Sequence, residues 1–476
     1  MSLPMIFALI FTLFLSFYSS VLALTPLSEP PKGDPNCQNV SSILEEIRTY
    51  KNKVRVINEE IMLGSFKGSA LNHLTDFVDK FGSRLTGSDS LEKSIDHVLK
   101  IMPEIGFENV HSEDVIAPKW IRGDESLKLL KPYPKTISLL GLLPSVSTPK
   151  EGMTAEIIAV NGFDELKNFF NQPFDNPVDG IKYRQFAAIE ASKLGAVGTL
   201  IRSYATFTLG NPHTGLMFYE GGSLPIPSAE ISIEDADLLY RLYKKGEKVE
   251  VHFKLLNEHV GNITTRNSIG DYIGSSKPDE FVLIGGHVDS LDAGQGALDD
   301  GYRVILSLYA VQVLQRLGLR PRRSIRTIIW SAEEVGRVPL GAKQYLENHL
   351  DELKTKYSIF QEADSGIFDA NGLIFNGTSE AGCIMAEILK LLEPEVIPET
   401  KLVQNFSHLK TDIVPLMQAT GVPGAVIAAN ADKYFWYHHS NADTVTAIDS
   451  KDMDVCLALW TAVSFVLADL EFMLPR

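Results

Sequence analysis

Several short apolar runs in the second half of the chain lead directly into histidine or acidic side chains. The polar residues that follow these runs are His287, Asp289, Asp299, Glu333, Glu334, Asp364 and His439. If the runs are strands of one sheet, the residues at their carboxyl ends lie near one another. Imidazole and carboxylate groups are the ligands that hydrolytic zinc sites use. The sequence therefore predicts a metal centre at this edge of the sheet, with enough ligands for two ions.

The residues from 262 onward alternate between strand-like and helix-like patterns. The strand candidates are 281–284, 325–330, 357–361 and 425–428, and the helix candidates are 302–317 and 449–470. Gly318 and Pro321 are typical of a helix end. Alternation at this spacing is characteristic of an α/β fold whose ligands bind at the carboxyl ends of the strands. The predicted fold class is therefore α/β, with a doubly wound mixed sheet between helices.

The pattern of apolar residues changes between residues 131 and 258. Two domains are expected for 476 residues, because a single core rarely grows to that size. Short apolar runs separated by Gly and Pro dominate 131–258, with one predicted helix at 184–194, which indicates a β-rich insert. The predicted divisions are a signal peptide (1–23), a Pro-rich linker or propeptide (24–42), the first part of the main domain (43–130), the insert (131–258) and the second part of the main domain (259–476).

The N-terminal segment is typical of a secretory signal peptide. Residues 6–15 are apolar apart from Thr12, and Val21-Leu22-Ala23 offers small residues for cleavage. No Lys or Arg precedes the apolar run, so an uncleaved anchor is the alternative. Beyond this segment no run reaches the length of a membrane span. Sequons that fit a secreted glycoprotein begin at Asn39, Asn262, Asn376 and Asn405.

Charge and cysteine content narrow the possible functions. A formal net charge of −16, with no basic stripe to offset it, argues against a nucleic-acid partner. The dense basic cluster between Arg316 and Arg326 is interpreted as a solvated loop. Three cysteines permit at most one internal disulfide. Cys383 and Cys456 lie in apolar helical surroundings and are expected to be buried thiols.

The first residues of the predicted centre have distinct roles. His287 and Asp289 lie two positions apart, so in an extended segment their side chains share a face. His287 would bind one metal ion, and the carboxylate of Asp289 would fix the tautomer of that imidazole. Asp299 can bridge two cations because a carboxylate offers two oxygens.

The remaining residues would complete the centre. Glu334 and Asp364 would each bind one ion, and His439 would supply the second imidazole. Glu333 is then the general base, because a carboxylate beside an activated water accepts its proton.

At these residues the chain resembles the superfamily of zinc aminopeptidases and carboxypeptidases with co-catalytic metals. The resemblance extends from about residue 43 to residue 475, and its motifs include Gly294-Gln295-Gly296-Ala297-Leu298-Asp299-Asp300-Gly301 and Tyr434-Phe435-Trp436-Tyr437-His438-His439-Ser440. It implies a peptidase domain interrupted by a protease-associated domain, two zinc ions, and a cis peptide between Asp299 and Asp300. It also implies a homodimer, hydrolysis of dipeptides with free termini, and a secreted or lysosomal location.

The superfamily pattern also indicates which of two adjacent histidines binds the metal. In that pattern a histidine is followed by three residues and then Asp-Thr, which fits His439 with Asp443-Thr444. His438 is then a neighbouring structural or substrate-facing imidazole. The candidates for substrate contacts are His408, Lys410 and Tyr434. The insert lacks a strand-like segment near residues 166–170, where relatives carry a longer stretch.

Other functions remain open from the sequence alone. Aminopeptidase action on longer peptides, or glutaminyl cyclisation, would keep zinc and change the reaction, and cyclases of this superfamily use one zinc ion. A non-catalytic, receptor-like binding protein on the same scaffold would have lost its metal ligands. The ratio of metal to protein distinguishes these possibilities.

Overall fold

Two eight-stranded sheets form the framework of the part of the chain that the structure describes. The computed structural model describes residues 6–10, 35–163, 165, 180–219, 224–362, 366–404 and 411–476. In chain order the strands are β1 (Ile6–Ile10), β2 (Glu108–Ile121), β3 (Glu125–Lys131), β4 (Lys135–Ile137), β5 (Leu139–Gly141), β6 (Met153–Val160), β7 (Gly198–Arg202), β8 (Ser228–Ile231), β9 (Glu250–Leu255), β10 (Glu258–Tyr272), β11 (Lys277–His287), β12 (Arg323–Trp330), β13 (Tyr357–Glu362), β14 (Gly372–Asn376), β15 (Lys401–Val403) and β16 (Gly424–Ala428).

The main sheet has the order β15-β14-β16-β13-β11-β12-β10-β2. β11 lies in its middle and pairs in parallel with β12 and β13, whereas β10 runs antiparallel to β12 and β2. Residues 281–287 of β11 are all buried, as expected for a parallel strand that is covered on both faces. These pairings confirm the predicted mixed α/β sheet.

Helices surround the two sheets. They are α1 (Pro35–Gln38), α2 (Ser41–Thr49), α3 (Lys51–Met62), α4 (Ser69–Phe81), α5 (Asp89–Glu104), α6 (Gly180–Lys193), α7 (Ile233–Lys244), α8 (Tyr302–Arg316), α9 (Leu340–Lys356), α10 (Ser379–Leu389), α11 (Ile413–Thr420), α12 (Ala431–Tyr434) and α13 (Ser450–Asp469). α8 and α13 are buried along most of their length, which makes them core helices. No helix within the described ranges combines the length and apolar character needed to cross a membrane.

The second sheet has the order β4-β3-β9-β6-β1-β7-β8-β5. Apart from β1, its strands come from residues 125–255, and α6 and α7 belong to the same part of the chain. β1 pairs in parallel with β6 on one side and with β7 on the other. β1 therefore places five residues of the predicted signal peptide in the middle of this sheet. Residues 166–179, which contain the segment expected to lack a strand, lie outside the described residues.

Two sequence-based interpretations are wrong in detail. The insert contains α7 in addition to the one helix that was predicted there. The basic cluster is not a solvated loop throughout, because Arg323 is 1% exposed and its Nε lies 2.6 Å from Glu280 Oε2. Arg326 pairs with Asp271 at 2.7 Å. A buried arginine is tolerated when a carboxylate neutralises it, and the neighbouring strands β11 and β10 supply Glu280 and Asp271 to these arginines of β12.

A disulfide bond joins Cys37 to Cys383, with 5.6 Å between their Cα atoms. The expectation that Cys383 is a free thiol is therefore wrong, whereas Cys456 is a buried free thiol as predicted. The bond connects α1 to α10 across 346 residues of sequence. Pairing of this kind cannot be read from cysteine spacing.

Candidate metal centre

The candidate centre lies at the carboxyl ends of β11 and β12. His287 is the last residue of β11 and stands opposite Trp330, the last residue of the parallel neighbour β12. Glu333 and Glu334 follow β12 closely, and Asp299 lies in the short helical turn Ala297–Gly301 that leads into α8. The strand ends therefore bring together residues that are far apart in the sequence, as the topology of an α/β sheet predicts.

Asp299 occupies the middle of a buried cluster. His287 Nε2 lies 3.3 Å from Asp299 Oδ1, and His439 Nε2 lies 2.9 Å from Asp299 Oδ2. His439 Nε2 also lies 3.1 Å from Glu334 Oε2. His287, Asp299 and Glu334 each offer one ligand atom within 4.8 Å of the others. Oδ1 of Asp299 thus faces His287, and Oδ2 faces His439.

This donor set fits a metal ion. Within the described part of the chain, three buried atoms of the cluster have no hydrogen-bond partner: His287 Nε2, Asp299 Oδ2 and Glu334 Oε1. Leaving such groups unsatisfied costs about 1–3 kcal/mol each. A cation would satisfy all three, and nitrogen with carboxylate oxygen is a donor set that zinc accepts.

The electrostatics of the cluster also favour a cation. Burial lowers the pKa of His287, but the carboxylates of Asp300 and Asp299 outweigh it and raise that pKa well above its ordinary value. Burial likewise opposes protonation of His439, yet Glu334 and Asp299 raise its pKa to about 10. Carboxylates that draw protons so strongly onto buried imidazoles provide a strong attraction for a metal ion in the same place.

The other ring nitrogen of each imidazole faces a backbone carbonyl. His287 Nδ1 lies 2.8 Å from the carbonyl oxygen of Asp289, and His439 Nδ1 lies 3.2 Å from that of Thr214. A proton on Nδ1 would donate to the carbonyl and leave Nε2 free to bind a metal. The Asp289 carboxylate does not make the contact with His287 that was predicted for it. Its Oδ1 lies 3.8 Å from His287 Nδ1, which is too far for a hydrogen bond.

The Asp289 carboxylate instead holds the turn that carries the two glutamates. It accepts hydrogen bonds from the backbone N–H groups of Glu333 and Glu334, each at 3.2 Å, and from Thr86 Oγ1 at 3.0 Å. Ala332, just before these residues, has the left-handed φ of 61°, which is uncommon for a residue with a side chain. The turn thereby places Glu334 inside the cluster and leaves Glu333 half-buried at its rim.

Arg84 organises the loop that connects His287 to Asp299. Its buried guanidinium donates to the backbone carbonyls of Val288, Gln295 and Gly296 at 2.6, 2.8 and 2.8 Å. Burial lowers the pKa of Arg84 to about 10, against the opposing effect of nearby aspartates. One fully buried cation therefore fixes several carbonyls at once, which stabilises the loop.

Asp443 fixes the backbone at Asp299. Its carboxylate accepts hydrogen bonds from the N–H groups of Leu298 at 2.6 Å and of Asp299 at 3.2 Å. Burial, together with the charge of Asp299, raises the pKa of Asp443 to about 7. The peptide bond between Asp299 and Asp300 is cis, as the resemblance implied.

His438 is stacked on His439, with ring centroids 3.5 Å apart. Its Nε2 lies 3.3 Å from Asp299 Oδ2, so Asp299, His438 and His439 form a second group of possible ligands. Among the contacts described for these two imidazoles, the one to Glu334 belongs to His439. Tyr434, a predicted substrate contact, is 2% exposed, and its ring lies 4.9 Å from that of His438.

Several predicted residues lie outside the described ranges. They are Asp364, His408, Lys410 and the sequon residue Asn405. The other sequon residues, Asn39, Asn262 and Asn376, are exposed. Arg84, Thr86 and Thr214 were missed by the sequence reasoning, because a single arginine or threonine far from the acidic motifs carries no recognisable spacing.

Comparisons with known proteins agree with this geometry. Residues 267–464 match the model of peptidase family M28. Carboxypeptidase Q of Mus musculus is 39% identical over 475 residues, covering 98% of this chain and 99% of its own. Carboxypeptidase Q of Homo sapiens is 39% identical over 481 residues, with the same coverage.

Solved structures show the same fold. A peptidase M28 precursor from Shewanella amazonensis has a TM-score of 0.81 and 30% identity, covering 90% of this chain and 99% of its own. A zinc aminopeptidase from Bacillus subtilis has a TM-score of 0.62 at 20% identity, covering 84% and 94%, and it supports the fold alone. The chain is thus a homologue of carboxypeptidase Q, and it belongs to peptidase family M28.

Proposed function

We propose that this peptidase is a di-zinc exopeptidase that hydrolyses dipeptides or short peptides with free termini. The observation that carries the proposal is the buried convergence of His287, Asp299, Glu334 and His439, in which three buried ligand atoms make no hydrogen bond to a described residue. Asp364 is assigned as a further ligand from the sequence. Names of relatives such as carboxypeptidase Q support the exopeptidase activity.

Two zinc ions bound there would polarise the scissile carbonyl and lower the pKa of the attacking water. Asp299 is suited to hold both ions, because its two oxygens face different imidazoles. Glu333 is assigned as the base that takes the proton from the water and delivers it to the leaving amine. Its half-buried place beside Glu334 keeps it next to the centre, and Asp289 fixes its backbone.

The insert is proposed to be a protease-associated domain, and the protein to pass through the secretory pathway as a glycosylated homodimer. The Cys37–Cys383 bond supports this location, because disulfides persist in oxidising compartments. Exposed Asn39, Asn262 and Asn376 are accessible to glycosylation. The signal peptide, the dimer and a lysosomal destination stay predictions.

The test is a panel of dipeptides, longer peptides and terminally blocked controls, assayed with and without a chelator, alongside zinc analysis. The proposal predicts chelator-sensitive cleavage of free dipeptides, little cleavage of blocked ones, and about two zinc ions per chain. A ratio near one with cyclisation of N-terminal glutamine would favour a cyclase. Preference for long peptides would favour an aminopeptidase, and absence of zinc would favour a binding protein.

A further inference from the structure

His439 is held in place by the insert. Residues 211–215, here called the insert strap, run alongside the segment that carries His439. The N–H of Thr214 donates to the carbonyl of His439 at 2.8 Å, and Asn211 Nδ2 donates to Ser440 Oγ at 2.9 Å. His213 and Ser440 also form an antiparallel bridge. The strap therefore contacts the backbone of His439 as well as its ring.

Arg184 holds the same carbonyl that faces the imidazole. It lies on α6, is 6% exposed, and donates from Nη1 to the carbonyl oxygen of Thr214 at 2.9 Å. His439 Nδ1 approaches that oxygen at 3.2 Å. One carbonyl therefore links a buried guanidinium of the insert to the imidazole of the centre.

Gly215 allows this close approach. A Cβ atom at this position would lie 2.7 Å from Arg184 Cζ and 2.9 Å from His439 Nδ1. Both distances are too short for a carbon atom, so any side chain would push the two groups apart. The φ of 143° at Gly215 also disfavours other residues.

The charge partner of Arg184 does not explain its position. Glu230 on β8 is fully buried, and its Oε1 lies 3.9 Å from Arg184 Nε. That nitrogen makes no hydrogen bond to a described residue. A buried ion pair stabilises a fold only with close, well-bonded geometry. The close contact of Arg184 is with Thr214, next to His439.

We propose that Arg184 is a positioning residue that orients the metal-binding imidazole of His439 through the carbonyl of Thr214. The insert thus sets one half of the centre, whereas the other half is set by the main sheet. This inference rests on the proposed function, because it takes His439 as a ligand.

The experiment measures Zn²⁺ affinity by competition with a chelator, together with kcat and KM, in Arg184→Gln and Gly215→Ala. Each variant should weaken one of the two zinc sites by about 10- to 100-fold and leave the other unchanged, as removal of a hydrogen bond behind a ligand does. The value of kcat at limiting zinc should fall, with KM unchanged. Gly215→Ala tests the same contact if Arg184→Gln fails to fold.

Matched controls separate positioning from general damage. Gly210→Ala also places alanine at a positive φ, of 78°, but a Cβ there meets nothing within 4 Å. Arg202→Gln removes another, half-buried arginine of the insert, which pairs with Asp237 at 3.7 Å. An equal loss of zinc in the two controls would overturn the inference. So would wild-type zinc affinity at both sites in Arg184→Gln and Gly215→Ala, or a rise in KM as their only effect. Wild-type protein without zinc would overturn the proposed function itself.

Discussion

His287 and His439 lie on opposite sides of Asp299, and a different part of the chain holds each one. The carbonyl behind His287 belongs to Asp289, two residues further along the loop that follows β11. The carbonyl behind His439 belongs to Thr214 in the insert. The first imidazole thus depends on local folding of the main domain. The second depends on how the insert contacts it, which makes the insert part of the centre.

The largest expected effect comes from Glu333→Gln, which leaves both imidazoles and their carbonyls in place. Turnover should fall about 10²- to 10⁴-fold, because an amide cannot accept the proton from water. The zinc content should match that of the wild type. Glu347→Gln is the control, since Glu347 is an exposed carboxylate beside Lys343. Activity retained in Glu333→Gln would refute the role of this base.

Asp289→Asn should damage the turn that carries Glu333 and Glu334, and through Glu334 the His439 half of the centre. Three donors point at the Asp289 carboxylate, and an amide NH₂ would face at least one of them. We expect kcat to fall about 10- to 100-fold, as for other partners behind metal ligands. The zinc site that Gly215→Ala weakens should also weaken here, because Glu334 contacts His439, while the other site keeps its affinity. Asp279→Asn, at an exposed position, is the control. Equal weakening of both sites would contradict the division into two halves.

Removal of the disulfide should lower the stability of the fold and have little effect on either half of the metal centre. Cys37→Ser should lower the free energy of unfolding by about 2–4 kcal/mol, because the bond constrains the unfolded chain. The value of kcat per folded molecule at 25 °C should not change, since no contact described for either cysteine reaches the centre. Denaturant unfolding with and without reductant measures this. A large loss of kcat in the folded variant would show coupling that the contacts do not explain.

The smallest expected effect is on stability, at His349. Carboxylates hold this imidazole, whereas backbone carbonyls face His287 and His439. Hydrogen bonds to Glu113 at 2.7 Å and to Glu352 raise the pKa of His349 to about 9. Because this exceeds the unfolded value of about 6.5, the stabilisation is complete below pH 6.5 and is lost as pH rises through about 9. The melting temperatures of wild type and His349→Gln should differ at pH 6 and converge near pH 10. His259→Gln, at an exposed position, should show no such convergence.

The residues at strand ends were accessible to sequence reasoning because of their position. His287, Glu333 and Glu334 each follow an apolar run, and the structure brings His287 and Glu334 to Asp299. The mixed sheet followed from the alternation of strands and helices. These features are local patterns, repeated often enough along the chain to support one another.

The supporting contacts were not accessible for physical reasons. Thr214 acts through a backbone carbonyl, which every residue possesses, so its identity carries no signal. Arg84 lies 204 residues from Val288 in the loop that it fixes, and Cys37 is paired across 346 residues of sequence. The Asp289 carboxylate was assigned to the wrong neighbour because the turn at Ala332, which brings the glutamate N–H groups to it, depends on tertiary structure.

The zinc content of three histidine variants tests the central claim most directly. The account predicts about two zinc ions per chain in wild type and in His438→Ala, and about one in His287→Ala and in His439→Ala. Elemental analysis after dialysis against dilute zinc gives these ratios. A His439→Ala protein that keeps the wild-type ratio, or a His438→Ala protein that loses an ion instead, would contradict a centre shared between the main sheet and the insert.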